Sequence, residues 1–240
     1  MGNSFYITPE VIRDFPETHI RFVVARNLRN AEPWDNLEES LGALAAQLSS
    51  GEWEPFEETS PVISSWHDAY RRFGTNPRRS RPSLDALSRR LRRDGKLPRI
   101  NPAVDAYNLV SITRGTPAGA FDMDKLAERV TIRFTEPDDS FTPLGEPEEA
   151  EQPKQGEVVY AQGSQVLTRS WNHRDSDQTK VTETSRNVVF ILERISQAAV
   201  SDRQMADAQE MLAGLIEPHA ESLVLAVIEP KTPEVNLADG

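Results

Sequence analysis

The chain has 240 residues, 38% of them hydrophobic, enough for a sizeable core, and a formal net charge of −11, which sets its average field against any polyanion at long range. It has no cysteine, which excludes disulfides, thiolate zinc sites and cysteine nucleophiles together. The four histidines (His19, His67, His173, His219) are scattered without paired-ligand spacing, so neither a metal site nor a cofactor is expected.

No segment reaches the roughly 18 apolar residues of a membrane span, and the opening run MGNSFYITPE has no signal-like pattern. The expectation is a soluble, cytoplasmic protein without a membrane partner. Along the chain, HIRFVVARNL (19–28) is β-rich and reads as a strand. Trp34 to Ser50 carries Leu37, Leu41, Leu44 and Leu48 at helical spacing, with Asp35 as a cap and Gly51 as the stop. Ser64 to Phe73 is a second helix, with Trp66, Ala69, Tyr70 and Phe73 on adjacent turns.

Basic residues crowd the next stretch. Between Arg71 and Arg99 only Asp85 and Asp94 oppose the arginines and Lys96. Ser83 is placed to cap a helix that Gly95 ends. Leu84, Leu87 and Leu91 form one stripe, and at about 100° per residue Arg89, Arg90, Arg92 and Arg93 fall away from it. An exposed face of one sign suits a polyanion. The competing use is internal pairing with the acidic, proline-rich loop around Glu146–Glu151.

A mostly buried helix is expected over Ala103–Ile112, holding Asn108, which must bond within the protein or line a pocket. RGTPAGAFDMDKL (114–126) reads as a tight, shaped connection. RVTIRFT is a strand, residues 135–156 are a long loop, and GEVVYAQGSQVLTRSW is a strand, a glycine turn and a strand. NHRDSDQTKVTETS is a polar loop, RNVVFILERI a strand, Ser201–Ile216 an amphipathic helix and SLVLAVIE a final strand. Strands and helices are intermixed without repeats, which predicts one α+β domain over 1–240.

The block WHDAYRRFGTNPRRSRPSLDALSRRLRRDGKLPRINPAVDAYNLVSITRGTPAGAFDMDKL, followed by SWNHRDSDQTKVTETSRNVVFILERI, resembles the B3/B4 domain of the bacterial phenylalanyl-tRNA synthetase β subunit, and more closely the freestanding proteins built on that domain alone. The resemblance covers roughly residues 60 to 195, with flanks at 1–59 and 196–230. It implies a layered α+β fold. In the synthetase this domain carries an editing pocket that hydrolyses tRNA charged with the wrong amino acid, so an isolated copy would act in trans on the acceptor end of aminoacyl-tRNA. The rivals are a noncatalytic tRNA-binding module and an amino-acid-binding protein that reuses the pocket.

The resemblance places the aminoacyl group between the 115–122 segment and the 171–179 loop. On that reading Asn172, Asp177 and Asp122 are the candidate catalytic residues, although Asp122 is equally placed to cap the following helix. Asn108, Gly119, Ala120, Phe121, Trp171, His173, Arg174, Asp175 and Thr179 line the substrate, and Arg78, Arg79, Arg81, Arg89, Arg90, Arg92 and Arg93 meet tRNA phosphates. Main-chain N–H groups at a Pro117–Ala120 turn would supply oxyanion donors. Gly119 stands where the family commonly has a histidine facing the substrate, and Asp177 aligns near its substrate-recognising glutamate. A shorter acid with no histidine opposite is not expected to select tyrosine.

Overall fold

The structure, a computed structural model, describes residues 4–237. The chain opens with strand β1 (Ser4–Ile7), helix α1 (Pro9–Asp14) and strand β2 (His19–Arg26), then four helices, α2 (Asp35–Ser50), α3 (Pro61–Arg72), α4 (Ser83–Asp94) and α5 (Pro102–Arg114). There follow β3 (Ala118–Asp122), β4 (Val130–Phe134), β5 (Ser140–Phe141), β6 (Val158–Gln162), β7 (Gln165–Arg169), β8 (Arg174–Asp175) and β9 (Val188–Arg194). Helix α6 (Asp202–Ile216) and strands β10 (Ser222–Ile228) and β11 (Glu234–Asn236) complete it. The architecture is mixed α+β.

Two sheets form. The larger runs β11-β1-β4-β6-β7-β5, with β8 added on β7, and the smaller runs β10-β2-β9-β3. Alternation along the strands builds the layers, because successive side chains point to opposite faces. From β2, Ile20, Phe22 and Val24 enter a core shared with the larger sheet, where Phe5, Ile132, Val158 and Tyr160 meet them. Val23 and Ala25 face the other way, into a second core under α2, α4, α5 and α6. Strand β9 is buried along its whole length, as expected of a strand covered on both sides.

Several expectations hold to the residue. Gly51 and Gly95 end α2 and α4 at φ 75° and 68°, the left-handed region that glycine reaches without strain. The helix expected over Ser201–Ile216 is α6, with Ser201 at its cap position and Gln204 reaching back to complete a capping box. Other expectations do not hold. Trp34 and Pro82, not Asp35 and Ser83, occupy the cap positions of α2 and α4. Ser83 is the first helical residue, and its main-chain N–H donates to the Asn172 carbonyl at 3.1 Å.

The connection expected at 114–126 contains a strand. Ala118–Asp122 pairs antiparallel with β9, because an exposed sheet edge recruits even a small-residue segment whose own β-propensity is low. Strands β1 and β11 and helix α1 have no counterpart in the elements read from the sequence. Strand β5 lies within the segment read as the long loop.

Leu91 holds α4 against the second core and is 1% exposed. Leu91→Ala is expected to lower unfolding stability by about 2–5 kcal/mol through lost burial and the cavity left behind, as read from chemical denaturation monitored by circular dichroism.

Candidate functional site

A cavity of about 130 Å³ opens where α5, β3, β6, β9 and the loop around Trp171 converge. A space of this order admits a group about the size of a benzene ring. Its floor is set by strand parity. Gly119 and Phe121 of β3 lie opposite Ile191 and Val189 of β9, and these side chains share the face turned to the larger sheet. Gly119 presents no side chain there, and a Cβ added to it would meet nothing within 4 Å.

The ladder also orients the β3 backbone. Glu193 N–H donates to the Pro117 carbonyl at 3.0 Å, which fixes residues 117, 119 and 121 as the positions bonded to β9 in an antiparallel pair. The N–H groups of Ala118 and Ala120 therefore point out from the free edge of the sheet. The Pro117–Ala120 segment expected as a turn is thus an edge strand with outward main-chain N–H groups.

At the end of β9, Glu193 carries a carboxylate into the core, with the residue 4% exposed. Tyr160 donates its hydroxyl to one oxygen, and Asn172 donates Nδ2–H to the other at 2.9 Å. Tyr70 in turn donates to Asn172 Oδ1 at 2.8 Å. Burial pushes the Glu193 carboxyl up to about 7, against these hydrogen bonds, which favour the anion. Asp175 also lines the cavity and is pushed up to about 6 by burial, while Thr168 donates to its Oδ1 at 2.8 Å.

The loop that delivers Asn172 is bent by two consecutive left-handed residues, Ser170 (φ 44°) and Trp171 (φ 67°). Neither is glycine, so this conformation costs on the order of 1–3 kcal/mol per residue and must be held by its surroundings. Trp171 is fully buried, edge-on to Trp66 and Phe15 at 5.6 and 5.1 Å. Its main-chain N–H donates to the Val158 carbonyl at 2.6 Å.

Two polar side-chain groups on the cavity wall have no hydrogen-bond partner among the described residues. One is the buried Ser83 hydroxyl; the Trp171 indole N–H instead faces Glu193 and favours its anion. His173 donates Nδ1–H to the Arg81 carbonyl at 2.9 Å, and a neutral ring held so leaves Nε2 as an acceptor.

The predicted substrate residues divide. Asn108, Gly119, Ala120, Phe121, Trp171, Asn172, His173 and Asp175 all line the cavity. Asp122, Arg174, Asp177 and Thr179 do not. Asp122 caps the turn at Met123–Lys125 through the Asp124 N–H and accepts from the Ser185 hydroxyl at 2.6 Å, so it serves as a cap. Asp177 is bound by Lys180 at 2.8 and 2.9 Å and by the Gly145 N–H at 2.9 Å, and is not among the cavity-lining residues. Arg174 pairs with Glu146 and Glu151 at 2.9 and 3.6 Å, and Thr179 is buried with its hydroxyl unpartnered.

Glu193 was not singled out from the sequence, nor were Ser83, Tyr107 and Tyr160 as cavity residues. For Glu193 a signal existed: in RNVVFILER it follows Val189 and Ile191 at period two, so it had to share their buried face.

The arginine face is largely paired from within. Buried Asp85 accepts from Arg81 and Arg89 at 2.9 Å each, and its Oδ2 lies 3.1 Å from His67 Nε2. Glu58 takes Arg89 and lies 3.6 Å from Arg78, Asp94 takes Arg93 and Arg90, and Arg92 donates to the Phe56 carbonyl at 2.8 Å. The acidic loop around Glu146–Glu151 pairs instead with Arg169 and Arg174. Arg79 is exposed and makes no ion pair among the described residues. Among those residues, no cluster of three or more histidines and carboxylates is arranged to hold a metal ion, and no helix is long and apolar enough to cross a membrane.

Glu193 sets a pH dependence. Its carboxyl rises from an ordinary 4.5 to about 7 in the fold, so the folded state holds the extra proton between those values, and stability falls as pH rises through that window. Glu193→Gln, which can keep both hydrogen-bond partners, is expected to remove about 3 kcal/mol of that fall. Urea denaturation of both proteins at pH 5 and pH 8 checks it.

Residues 65–210 match the family model described as the B3/4 domain. Over 62 residues, 26% of this chain and 8% of the relative, the sequence is 41% identical to the phenylalanine–tRNA ligase beta subunit of Coxiella burnetii. Over 109 residues, 45% of this chain and 13% of the relative, it is 29% identical to the same subunit of Idiomarina loihiensis. The matched stretches thus span about a tenth of each relative's length. The crystal structure of an N-terminal fragment of the phenylalanyl-tRNA synthetase beta subunit from Pyrococcus horikoshii aligns at a TM-score of 0.46 and 14% identity, covering 92% of this chain and 49% of that one. With more than half of its length matched by the family model, the chain belongs to the B3/4 domain family.

Proposed function

We propose that this protein is a trans-acting aminoacyl-tRNA deacylase, a cytosolic hydrolase that cleaves the ester of a mischarged tRNA and needs no metal or cofactor. The observation that carries the reading is the convergence on one small cavity of polar groups without partners among the described residues: the Ser83 hydroxyl, His173 Nε2 and the outward N–H groups of Ala118 and Ala120. Buried polar groups call for partners, and an aminoacyl ester offers a carbonyl, an amine and a ribose hydroxyl to such a set. The ester is already activated. Hydrolysis therefore needs a held water, donors for the oxyanion and a pocket for the side chain, not a strong nucleophile.

In this reading the edge amides of β3 receive the carbonyl oxygen, and Asp175 and Glu193 face the amine and the side chain. Asn172 acts by holding Glu193 in place. The acceptor strand approaches along residues 78–83, which lead into the cavity at Ser83 and carry the unpaired Arg79. A second reading, binding of a free amino acid without tRNA, draws on one specific observation: the α4 arginines are already matched by Asp85, Glu58 and Asp94.

Incubating the purified protein with a panel of mischarged tRNAs, chelator present, tests the first reading. Rapid loss of one aminoacyl class is expected, and binding of free amino acid without cleavage of any ester would support the second. Arg79→Glu is expected to weaken tRNA binding several-fold and flatten its dependence on salt, as measured by filter binding at two ionic strengths. Gly119→Leu is expected to fold, since its Cβ has room, yet to lose deacylation at least tenfold by filling the cavity. Steady-state assay beside a thermal melt separates these effects.

A further inference from the structure

We propose that His173 is the catalytic base of this pocket, taking on Nε2 the proton of the water that attacks the aminoacyl carbonyl, with the ring held in register by the main-chain carbonyl of Arg81. The proposal rests on the deacylase reading and adds the group that activates the water.

Geometry comes first. A carbonyl oxygen only accepts, so the 2.9 Å contact from His173 Nδ1 to Arg81 O requires the hydrogen on Nδ1. In the neutral ring that leaves the lone pair on Nε2, which has no partner among the described residues, on a side chain that lines the cavity. A base oriented through its other nitrogen is the arrangement that general-base catalysis by histidine uses. The outward amides of Ala118 and Ala120 border the same cavity.

The support for the ring is itself anchored. Arg81 donates Nη1–H to Asp85 at 2.9 Å, and Asp85 is buried and further held by Arg89 and His67. The Ser83 N–H to Asn172 carbonyl bond, 3.1 Å, ties the two segments together two residues after Arg81 and one before His173. Arg81 and Asp85 are thus positioning residues.

Burial favours the neutral ring. Burial first, then Arg169 and Arg174, hold His173 below the ordinary histidine value, while the bond to Arg81 O and Glu157 act the other way. From the packed elements Asp175, Glu193 and Tyr107 also face the cavity. Asp175 is the rival base there.

The step balances. Water oxygen bonds to the acyl carbon as Nε2 takes its proton, and the edge amides receive the oxyanion. The bond from acyl carbon to ribose oxygen then breaks, and the imidazolium returns the proton to that oxygen. The products are the free amino acid and tRNA with its hydroxyl restored.

His173→Asn is the direct test, because the asparagine amide can keep the bond to Arg81 O while removing the base. Deacylation is expected to fall 10²–10⁴-fold. Binding of a nonhydrolysable 3′-amide-linked aminoacyl-tRNA should stay within about threefold, and the melt should remain cooperative. For the unsubstituted protein, the rate should rise with pH to a plateau, with an inflection below 6.5. Asp175→Asn should keep that limb. Full activity of His173→Asn, or an acid limb that vanishes in Asp175→Asn instead, overturns the proposal while leaving the deacylase reading intact. If the unsubstituted protein cleaves no aminoacyl-tRNA, the deacylase reading falls and this one with it. Should His173→Asn fail to fold, the pH profile of the unsubstituted protein decides, and a rate without the acid limb overturns the assignment.

Discussion

A carboxylate buried at the end of a core strand is the constraint around which the rest of this structure is arranged. Taking Glu193 out of water is costly unless each oxygen finds a donor. Tyr160 reaches it from one sheet and Asn172 from the loop after β7. The second donor is the demanding one. Asn172 arrives only because Ser170 and Trp171 accept left-handed backbone, and that bend persists only because Trp171 is clamped by Trp66, Phe15 and its bond to Val158. Packing of an indole thus positions an amide that satisfies a carboxylate, and the cavity is the space this arrangement leaves beside Gly119.

The basic segment takes on a different meaning in the same light. Its arginines read as an open phosphate-binding face, but Asp85 lies buried among them and draws Arg81 and Arg89 inward. The i+4 geometry of α4 brings Arg89 to Asp85, while Arg81 from the preceding segment and His67 from α3 complete its partners. The consequence reaches the cavity, because Arg81 supplies the carbonyl that holds His173. Within α4, Asp85 and Arg89 pair inward, whereas Arg90 and Arg93 stay largely exposed beside Asp94.

Much of this was legible in the sequence. Helical stripes and glycine stops located α2 and α4, since helix periodicity and left-handed caps are local properties. Seven of the fifteen cavity-lining residues lie in the Trp171–Asp175 motif and the Gly119–Phe121 segment, both singled out from the sequence. The failures are non-local. Strand β3 has alanines and a glycine where propensity asks for branched residues, and only its pairing with β9 makes it a strand. The resemblance aligns Asp177 near the family's substrate-recognising glutamate, yet the turn after β8 sends it to Lys180 and Gly145. Glu193 was passed over because a strand was read there without following its parity.

The central claim is that one cavity receives an aminoacyl ester with its carbonyl at the edge of β3. A crystal structure of the protein with a 3′-amide-linked aminoacyl-adenosine tests it most directly. The account expects the acyl oxygen within hydrogen-bonding distance of the Ala118 or Ala120 N–H, with the amino-acid side chain over Gly119. Binding of the analogue elsewhere on the surface, with this cavity left unfilled, would contradict it.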